Sequence, residues 1–126
     1  MILGVGIDIV DVRRISNWMK DPGLISRYFH EHELARAGSY NGALSLAARF
    51  AAKEAFGKAL GTGLRNLNLK DICVENDELG KPMIRLMGSA KLAFEQVRGH
   101  RLHLSLTHET DNAVAVVIIE GDENAE

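Results

Sequence analysis

Two carboxylates and one lysine are the residues whose types and spacing best suit phosphate chemistry. The first carboxylate is Asp8, which lies between Ile7 and Ile9 in an apolar stretch near the N-terminus. If Asp8 is buried there, it must be hydrogen-bonded, ion-paired or bound to a metal. The alternative is a solvent-facing position on a sheet with one wet face, and Asp8 taken alone favours that interpretation.

Glu54 and Lys58 lie together in a segment rich in alanine. They are four residues apart, so at 100° per residue of an α-helix their side chains project within about 40° of each other. This spacing alone favours an ordinary surface ion pair. Because Ala47, Ala51 and Ala55 share or adjoin the same direction, we expect a hollow, charged face with room for a ligand.

Asp8 and Glu54 would offer two oxygen ligands if the fold brought them together. Mg²⁺ prefers oxygen ligands and keeps further coordination positions for water and phosphate. Lys58 would then face the same phosphate and stabilise its charge. The three side chains therefore indicate a candidate site for Mg²⁺-assisted phosphoryl transfer.

Three more basic residues are candidates for anion binding. Arg49 and Lys53 form a second pair four residues apart, on a different edge of the same helix. Such a pair is more typical of a solvated stripe than of a phosphate clamp, and the sequence leaves both open. His108 follows an apolar segment and opens a loop, where a side chain can be both anchored and accessible. An isolated histidine is more often structural or simply exposed.

Three familiar site patterns are incomplete in this sequence. Ser105, His108 and Asp111 would suit a serine hydrolase, but no Gly-x-Ser-x-Gly motif accompanies them. Gly4-Val5-Gly6 lacks the third glycine of a dinucleotide-binding loop, and Gly61-Thr62-Gly63 follows a helix where a phosphate-binding loop would follow a strand. Neither a hydrolase nor a standard nucleotide-binding fold is indicated.

Length and composition favour one globular domain spanning residues 1–126. The chain has 126 residues, of which 46% are hydrophobic and 25% charged, with a net charge of -2. This balance argues against a nucleic-acid binder that relies on a basic surface. Positive residues nevertheless dominate over 49–70, which suits a local anion site, while the tail from about residue 121 has only acidic charges.

The sequence predicts a cytoplasmic protein. Its single cysteine, Cys73, cannot form an internal disulfide, which favours a reducing compartment. Asp8 and Asp11 interrupt the apolar N-terminal stretch, so it does not resemble a signal peptide. No segment approaches the ~18 uninterrupted apolar residues of a membrane span.

Hydrophobic periodicity predicts an α+β fold, with an antiparallel sheet packed against a long central helix and shorter helices. Asp8 would lie in the middle of the first strand, and the long helix would end at Gly61-Thr62-Gly63. Ser89 is expected to cap the last helix. The predicted strands are 3–12, 72–75, 83–87, 102–107 and 113–119, the last two forming a hairpin, and the predicted helices are 15–19, 24–29, 31–37, 43–60 and 89–97.

Three blocks in the same order resemble a known enzyme family. They are Gly4-Val5-Gly6-Ile7-Asp8-Ile9 followed by Arg14, then Arg49-Phe50-Ala51-Ala52-Lys53-Glu54-Ala55-Phe56-Gly57-Lys58-Ala59, and Ser105-Leu106-Thr107-His108-Glu109. Together they resemble the holo-acyl-carrier-protein synthase branch of the 4'-phosphopantetheinyl transferases. The resemblance covers nearly the whole chain, and its central Lys-Glu-Ala-x-x-Lys-Ala block is specific.

The resemblance implies transfer of 4'-phosphopantetheine from coenzyme A to a serine of apo acyl carrier protein. Adenosine 3',5'-bisphosphate would be released, Mg²⁺ would be the cofactor, and the product would support fatty acid biosynthesis. By resemblance, Asp8 and Glu54 hold the metal together with the coenzyme A pyrophosphate, and Lys58 stabilises charge on the phosphate under attack. The serine proton would go to Glu54 or to a metal-polarised water, and the sequence does not choose between them.

The family also implies which residues bind the two substrates. Arg49 and His108 resemble residues that bind the nucleotide half of coenzyme A, and the turn ending at Pro82 resembles one beside the adenine. Arg14 resembles a contact for the acyl carrier protein. Short family members are homotrimers with an active site at each subunit interface, so the same assembly is expected here.

This chain departs from some relatives immediately before the long helix. Where those relatives have basic residues, it has Asn41-Gly42-Ala43-Leu44, so Arg49 is expected to contribute more of the phosphate binding. The charges of Arg13, Lys20 and Arg27 would suit steering of an acidic carrier protein.

Two other functions remain open from the sequence. One is a different Mg²⁺-dependent phosphoryl or nucleotidyl enzyme that uses Asp8, Glu54 and Lys58. The other is a non-enzymatic oligomeric module that holds an anionic partner on its basic helix.

Overall fold

The long predicted helix packs along one face of a three-stranded antiparallel sheet in the computed structural model, which describes residues 1–37 and 41–122. The elements in chain order are β1 (Ile2–Asp11), α1 (Val12–Trp18), α2 (Pro22–Tyr28), α3 (Glu31–Ala37), α4 (Gly42–Leu60), a 3-10 turn (Leu69–Asp71), β2 (Ile72–Asn76), β3 (Pro82–Leu86), α5 (Gly88–Gln96), β4 (Gly99–His108) and β5 (Asn112–Gly121). The predicted α+β class and element order are confirmed. None of the helices in these two ranges is long and apolar enough to cross a membrane.

The main sheet has the strand order β1-β5-β4, and β2 and β3 form a separate two-stranded sheet. The predicted hairpin of β4 and β5 is confirmed, and both strands extend beyond the predicted bounds. Its turn is closed by the backbone N–H of Glu109, which donates to the carbonyl of Asn112 at 2.9 Å. The hairpin places His108 at the end of β4, where the strand leaves the sheet.

Helix α4 lies directly against the backbone of β1. A Cβ atom at Gly4 would overlap the carbonyl oxygen of Ala59, and one at Gly6 would overlap that of Ala55. Only glycine on the strand and small residues on the helix allow so close an approach. The distance between the two elements is therefore set by their smallest side chains.

The predicted hollow face of α4 is wrong. Ala47, Ala51 and Ala55 are fully buried, because the sheet fills the space that their small side chains leave. The alanine stripe therefore provides close packing rather than room for a ligand.

The two faces of the sheet are chemically unequal. Gly4, Gly6 and Asp8 face α4, whereas Val5 and Ile7 lie on the opposite side. We call that opposite side the outer face. It presents Val5, Ile7, Ile9, Val114, Val116 and Ile118, and the three β1 residues among them are 57%, 59% and 63% exposed. The expectation of a solvent-facing Asp8 on a sheet with one wet face is therefore wrong, since Asp8 lies on the helix side.

Several helix ends differ from the predictions by one to three residues, and for two of them the structure shows the cause. Helix α1 begins at Val12, three residues before the predicted start, because the Asp11 carboxylate accepts the backbone N–H of Arg13 at 2.9 Å. The predicted cap at Ser89 is also wrong. Helix α5 begins at Gly88, and the backbone N–H and hydroxyl of Ser89 both donate to Asp71, at 2.9 and 2.7 Å.

The C-terminal end of α4 is as predicted. Gly61 adopts a left-handed conformation with φ of 87°, and its N–H donates to the carbonyl of Lys58 at 3.0 Å. The turn therefore stops the helix immediately after the Glu54–Lys58 segment.

We expect Gly6→Ala to destabilise the protein by about 1–3 kcal/mol, because the added methyl group would force the backbones of β1 and α4 apart. Urea denaturation followed by circular dichroism measures the change in the free energy of unfolding. Gly23→Ala is the control, since its Cβ would contact only the Asp21 side chain. Equal stability of Gly6→Ala and the parent would contradict the close packing of β1 against α4.

Candidate active site

Asp8, Glu54 and Lys58 come together where α4 crosses β1. The Lys58 ammonium group donates hydrogen bonds to the Asp8 carboxylate and to the carbonyl of Ile7, both at 3.0 Å. The Lys58 side chain is 52% exposed and that of Asp8 is 17% exposed. The lysine therefore pairs with the strand carboxylate and not, as its spacing suggested, with Glu54 one turn away.

Glu54 is a half-buried carboxylate whose surroundings disfavour its charged form. Burial raises its pKa, and the nearby Asp8 charge raises it further, against smaller opposing effects of Arg14 and Lys58. No group in residues 1–37 and 41–122 donates a hydrogen bond to the Glu54 carboxylate. Two adjacent carboxylates, one of which lacks a donor, form an environment that a cation would stabilise.

Arg14 lies on the same side of the protein as the two carboxylates. Its guanidinium group is over the rings of Trp18 and Phe50, at 4.8 and 5.3 Å from the ring centroids. The side chain is exposed, and its charge partly opposes the rise in the pKa of Glu54 that burial and Asp8 cause. Arg14 therefore marks a positively charged, accessible surface beside the carboxylate pair.

Arg49 is buried, and the prediction of a solvated stripe is wrong. Its guanidinium group donates to the carbonyl of Val74, to the Asn76 side chain at 3.2 Å and to the Ser45 hydroxyl at 3.3 Å. Desolvation lowers the pKa of Arg49, and the nearby Glu33 charge opposes that effect. Arg49 thus joins α4 to β2 as a fixed group.

Arg49 and His108 line the same cavity, which has a volume of about 260 Å³. Ser45, Asn76 and Leu106 also contribute to its wall. The prediction that Arg49 and His108 belong to one anion-binding region is therefore compatible with their positions.

Pro82 lies next to this cavity. It is the first residue of β3 and pairs with Asn76, a wall residue, across the two-stranded sheet. Gly80, in the turn just before it, has a φ of 86° and donates its N–H to the carbonyl of Asp77 at 2.9 Å. The turn thus directs the chain from the β2 edge of the cavity back into β3.

Lys53 is fully buried, which the sequence analysis missed. It forms an ion pair with Glu33, also fully buried, at 2.7 Å. The sequence did contain one signal: Phe50 and Phe56 lie three residues to either side of Lys53, so its neighbours on the helix are large and apolar. Glu33 on a separate helix gave no comparable signal.

Asp8, Glu54 and Lys58 form a group that we call the carboxylate cluster. This cluster and the Arg49–His108 cavity lie on opposite sides of α4. Arg49 and Lys58 are nine residues apart, which at 100° per residue turns one side chain about 180° from the other. Lys58 contacts the carbonyl of Ile7 in β1, whereas Arg49 contacts that of Val74 in β2. In a single copy of the chain, α4 therefore separates these two regions, which we call the candidate half-sites.

The metal-ligating side chains are few. Within the described ranges, no three of the His, Cys, Asp and Glu residues are grouped so that they could hold a metal ion. Asp8 and Glu54 are thus a pair of carboxylates only, and any ion between them would take its other ligands from water or from a bound substrate.

Nearly the whole chain matches the model of a transferase family. Residues 4–117 match the family model described as the 4'-phosphopantetheinyl transferase superfamily. The chain belongs to this superfamily. The resemblance noted in the sequence is thereby confirmed.

The relatives agree over essentially their full length. The chain is 55% identical to a holo-[acyl-carrier-protein] synthase of Treponema denticola, over 96% of this chain and 100% of the relative. It is 45% identical to the enzyme of the same name from Clostridium tetani, over 97% of this chain and 98% of the relative.

Solved structures of such synthases share the fold. The one from Neisseria meningitidis superposes with a TM-score of 0.87 at 35% identity, covering 95% of this chain and 99% of that chain. The one from Bacillus anthracis, which is in complex with CoA (3',5'-ADP), has a TM-score of 0.81 at 35% identity and covers 97% and 99%.

We expect Asp8→Asn to lower the pKa of Glu54, because the like charge that raises it is removed and Lys58 loses its present partner. Titration of the Glu54 carboxyl carbon by heteronuclear NMR measures the shift. Asp11→Asn is the control, since Asp11 on the same strand is paired with Arg13 at 2.7 Å. An unchanged or higher pKa of Glu54 in Asp8→Asn would contradict the electrostatic coupling of the two carboxylates.

Proposed function

We propose that this chain transfers 4'-phosphopantetheine from coenzyme A to a serine of apo acyl carrier protein, with Mg²⁺ held by Asp8 and Glu54. The product supports fatty acid biosynthesis. The observation that supports the proposal most directly is the convergence of Asp8, Glu54 and Lys58 in a member of the 4'-phosphopantetheinyl transferase superfamily.

The donor set of the carboxylate cluster fits Mg²⁺. Asp8 and Glu54 provide anionic oxygens, and a divalent cation would relieve the repulsion that raises the pKa of Glu54. When bound, Mg²⁺ supplies Lewis-acid stabilisation of charge on the phosphate. Two protein ligands leave positions for water and for the pyrophosphate of coenzyme A.

The reaction is a displacement at the β-phosphorus of coenzyme A. A bond forms between the serine oxygen and this phosphorus, the bond to the bridging oxygen breaks, and adenosine 3',5'-bisphosphate leaves. Hydrogen bonds to Asp8 and to the Ile7 carbonyl hold the Lys58 ammonium group at the rim of the cluster, where it can donate to a phosphate oxygen. The serine proton would go to Glu54 or to a water held beside it in the cluster.

We assign the nucleotide half of coenzyme A to the Arg49–His108 cavity. Arg49 uses three of its five N–H groups on described protein atoms, so two remain for an anion. His108 lies at the exposed end of β4, beside Leu106 in the cavity wall. We assign Pro82 to the adenine, because it pairs with the wall residue Asn76.

We propose a homotrimer with active sites at the subunit interfaces. One coenzyme A molecule must reach both half-sites, yet α4 separates them within a chain, so a second copy is needed to bring its cavity to the carboxylate cluster of the first. The outer face of the sheet supplies an apolar contact surface, with Ile7 and Val116 paired in its central row. An exposed apolar patch of this kind is typical of a protein interface.

Arg14 is the proposed contact for acyl carrier protein. It is exposed on α1 and lies within electrostatic reach of Glu54, so a carrier bound there would present its serine near the cluster. Lys20 and Arg27 are also exposed, and their charges would steer an acidic partner. Arg13 contributes less, because Asp11 already neutralises its charge.

We propose that residues 1–126 form one transferase domain. The acidic tail that the sequence places from about residue 121 falls largely on residues 123–126, which lie outside the described residues. The cytoplasmic location stays a prediction from the sequence.

Intact-mass spectrometry of an apo acyl carrier protein tests the reaction. After incubation with this protein, coenzyme A and Mg²⁺, we expect the carrier to gain one phosphopantetheine group, and a chelator should prevent the gain. Coenzyme A binding without transfer to any of several carriers would contradict the proposal and favour a binding module or another phosphoryl enzyme.

Glu54→Gln should lower kcat on the order of 100-fold, because the metal loses an anionic ligand while the side-chain volume is kept. The rate is measured against Mg²⁺ concentration, with isothermal titration of Mg²⁺ as a second readout. Glu95→Gln, an exposed glutamate on α5, is the matched control. A Glu54→Gln rate equal to the parent at limiting Mg²⁺ would refute the metal assignment.

Val116→Lys should convert the oligomer to a monomer, because it places a charge in the centre of the proposed interface. Multi-angle light scattering measures the molar mass, and circular dichroism checks the fold. Leu79→Lys is the control, since Leu79 is 95% exposed at the tip of the β2–β3 turn. A parent protein that is monomeric at micromolar concentration would itself contradict the assembly.

A further inference from the structure

The buried ion pair of Lys53 and Glu33 has no part in the proposed chemistry. Both side chains are fully buried. The Lys53 ammonium group donates to the Glu33 carboxylate at 2.7 Å and to the carbonyls of Leu69 and Ile72 at 2.8 and 2.6 Å. All three of its protons are therefore used, so it has none to offer a ligand.

Glu33 is equally committed to protein partners. One of its oxygens accepts from Lys53 and from the backbone N–H of His30, the latter at 2.9 Å, and the other accepts the backbone N–H of Val74 at 3.2 Å. The carboxylate thus ties together the start of α3, the middle of α4 and the strand β2.

Stability alone is a weak reason for such a pair. Desolvation of two charges offsets most of their attraction, and apolar side chains of similar volume often replace a buried pair without loss of stability. The pair does, however, fix the position of the main chain around it, since each of its hydrogen bonds to the backbone holds one particular N–H or carbonyl group. The question is which of those groups matters for function.

Val74 connects the pair to the coenzyme A half-site. In the described residues β2 pairs with β3 alone, so its other edge needs partners from side chains. At Val74 the backbone N–H is held by Glu33 and the carbonyl by Arg49. The two charged side chains therefore bind the same residue, one at each of its polar groups.

Arg49 depends on this arrangement. Its other contact on β2 is Asn76, two residues beyond Val74, and all three residues line the cavity. A displacement of β2 at Val74 would move two of the acceptors that orient the guanidinium group. It would also change the wall of the cavity.

We propose that Glu33 and Lys53 are positioning residues for coenzyme A: they fix the β2 edge at Val74 and so hold Arg49 in the orientation that binds the nucleotide. This inference rests on the proposed function, because it takes the Arg49–His108 cavity as the nucleotide half-site. It assigns the pair to substrate affinity and leaves the chemical step to the residues on the other side of α4.

Glu33→Gln tests the inference with little change of volume. The amide replaces one acceptor oxygen with a donor, so either Val74 or the Lys53 side of the network loses its partner. We expect the KM and the Kd for coenzyme A to rise on the order of tenfold, while kcat stays within about twofold. Glu31→Gln, an exposed position on the same helix, should change neither.

The double variant Glu33→Leu/Lys53→Met separates positioning from folding. Apolar replacement of both partners leaves no unpaired buried charge, although the backbone groups of Leu69, Ile72 and Val74 lose their partners. The melting temperature should therefore fall, while the circular dichroism spectrum of the folded protein is kept. If the pair positions Arg49, the Kd for coenzyme A still rises, and the NMR signal of the Arg49 side-chain Nε–H group shifts in both variants. A double variant that folds and binds coenzyme A within twofold of the parent would overturn the inference.

The remaining outcomes are also decisive. A fall in kcat with unchanged coenzyme A affinity in Glu33→Gln would overturn the positioning role. A parent protein that transfers no phosphopantetheine and binds no coenzyme A would instead refute the proposed function. The parent measurement therefore distinguishes the two failures.

Discussion

The close contact between α4 and β1 is the constraint on which the rest of the site depends. Gly4 and Gly6 let the helix backbone rest on the strand, against Ala55 and Ala59. Residues on the flank of that contact are carried to the strand edge, which is why Lys58 can bond both the side chain of Asp8 and the strand backbone. Larger residues on either element would separate the carboxylates, and the charge coupling between Asp8 and Glu54 would weaken with distance.

The same contact determines which residues lie on the outer face of the sheet. Because side chains alternate along a strand, reserving one side of β1 for glycines leaves Val5, Ile7 and Ile9 on the other. The strand therefore buries its small residues against the helix and exposes its large ones. The sequence pattern that brings the helix close also creates an apolar surface suited to a second copy, so the proposed catalytic half-site and the proposed interface have one physical origin.

Much of the fold and part of the site could be predicted from the sequence, for identifiable reasons. Periodicity and glycine placement give α4 and its end at Gly61, since both are local properties of the chain. The spacing of Glu54 and Lys58 fixes their relative direction on the helix. It does not determine what covers that direction, so the sequence could not show that Lys58 pairs with Asp8 or that Lys53 is buried. The cap at Ser89 failed for the same reason, because Asp71 reaches it from a different part of the chain.

The alanine stripe illustrates a subtler ambiguity. Small side chains on a helix leave space that either a ligand or a neighbouring backbone can fill. The helix sequence alone contains no information that separates these cases. Gly4 and Gly6 distinguish the two cases. Their spacing of two residues places both on one face of a strand, and a strand face without side chains needs a close neighbour to bury it.

Helix α4 holds functional side chains on opposite flanks without exposing the helix between them. Its buried residues include alanines against the sheet, Lys53 beneath α3, and Arg49 beside β2. A helix enclosed in this way has few alternative positions, so groups attached to it are held in place before a substrate arrives. Cations are costly to enclose, which accounts for the number of acceptors around Lys53 and Arg49. Those acceptors lie on α3, on the 3-10 turn and on β2, so satisfying the buried charges also fixes these parts of the chain relative to α4. The shape of the cavity therefore depends on the hydrogen bonds that the buried cations require.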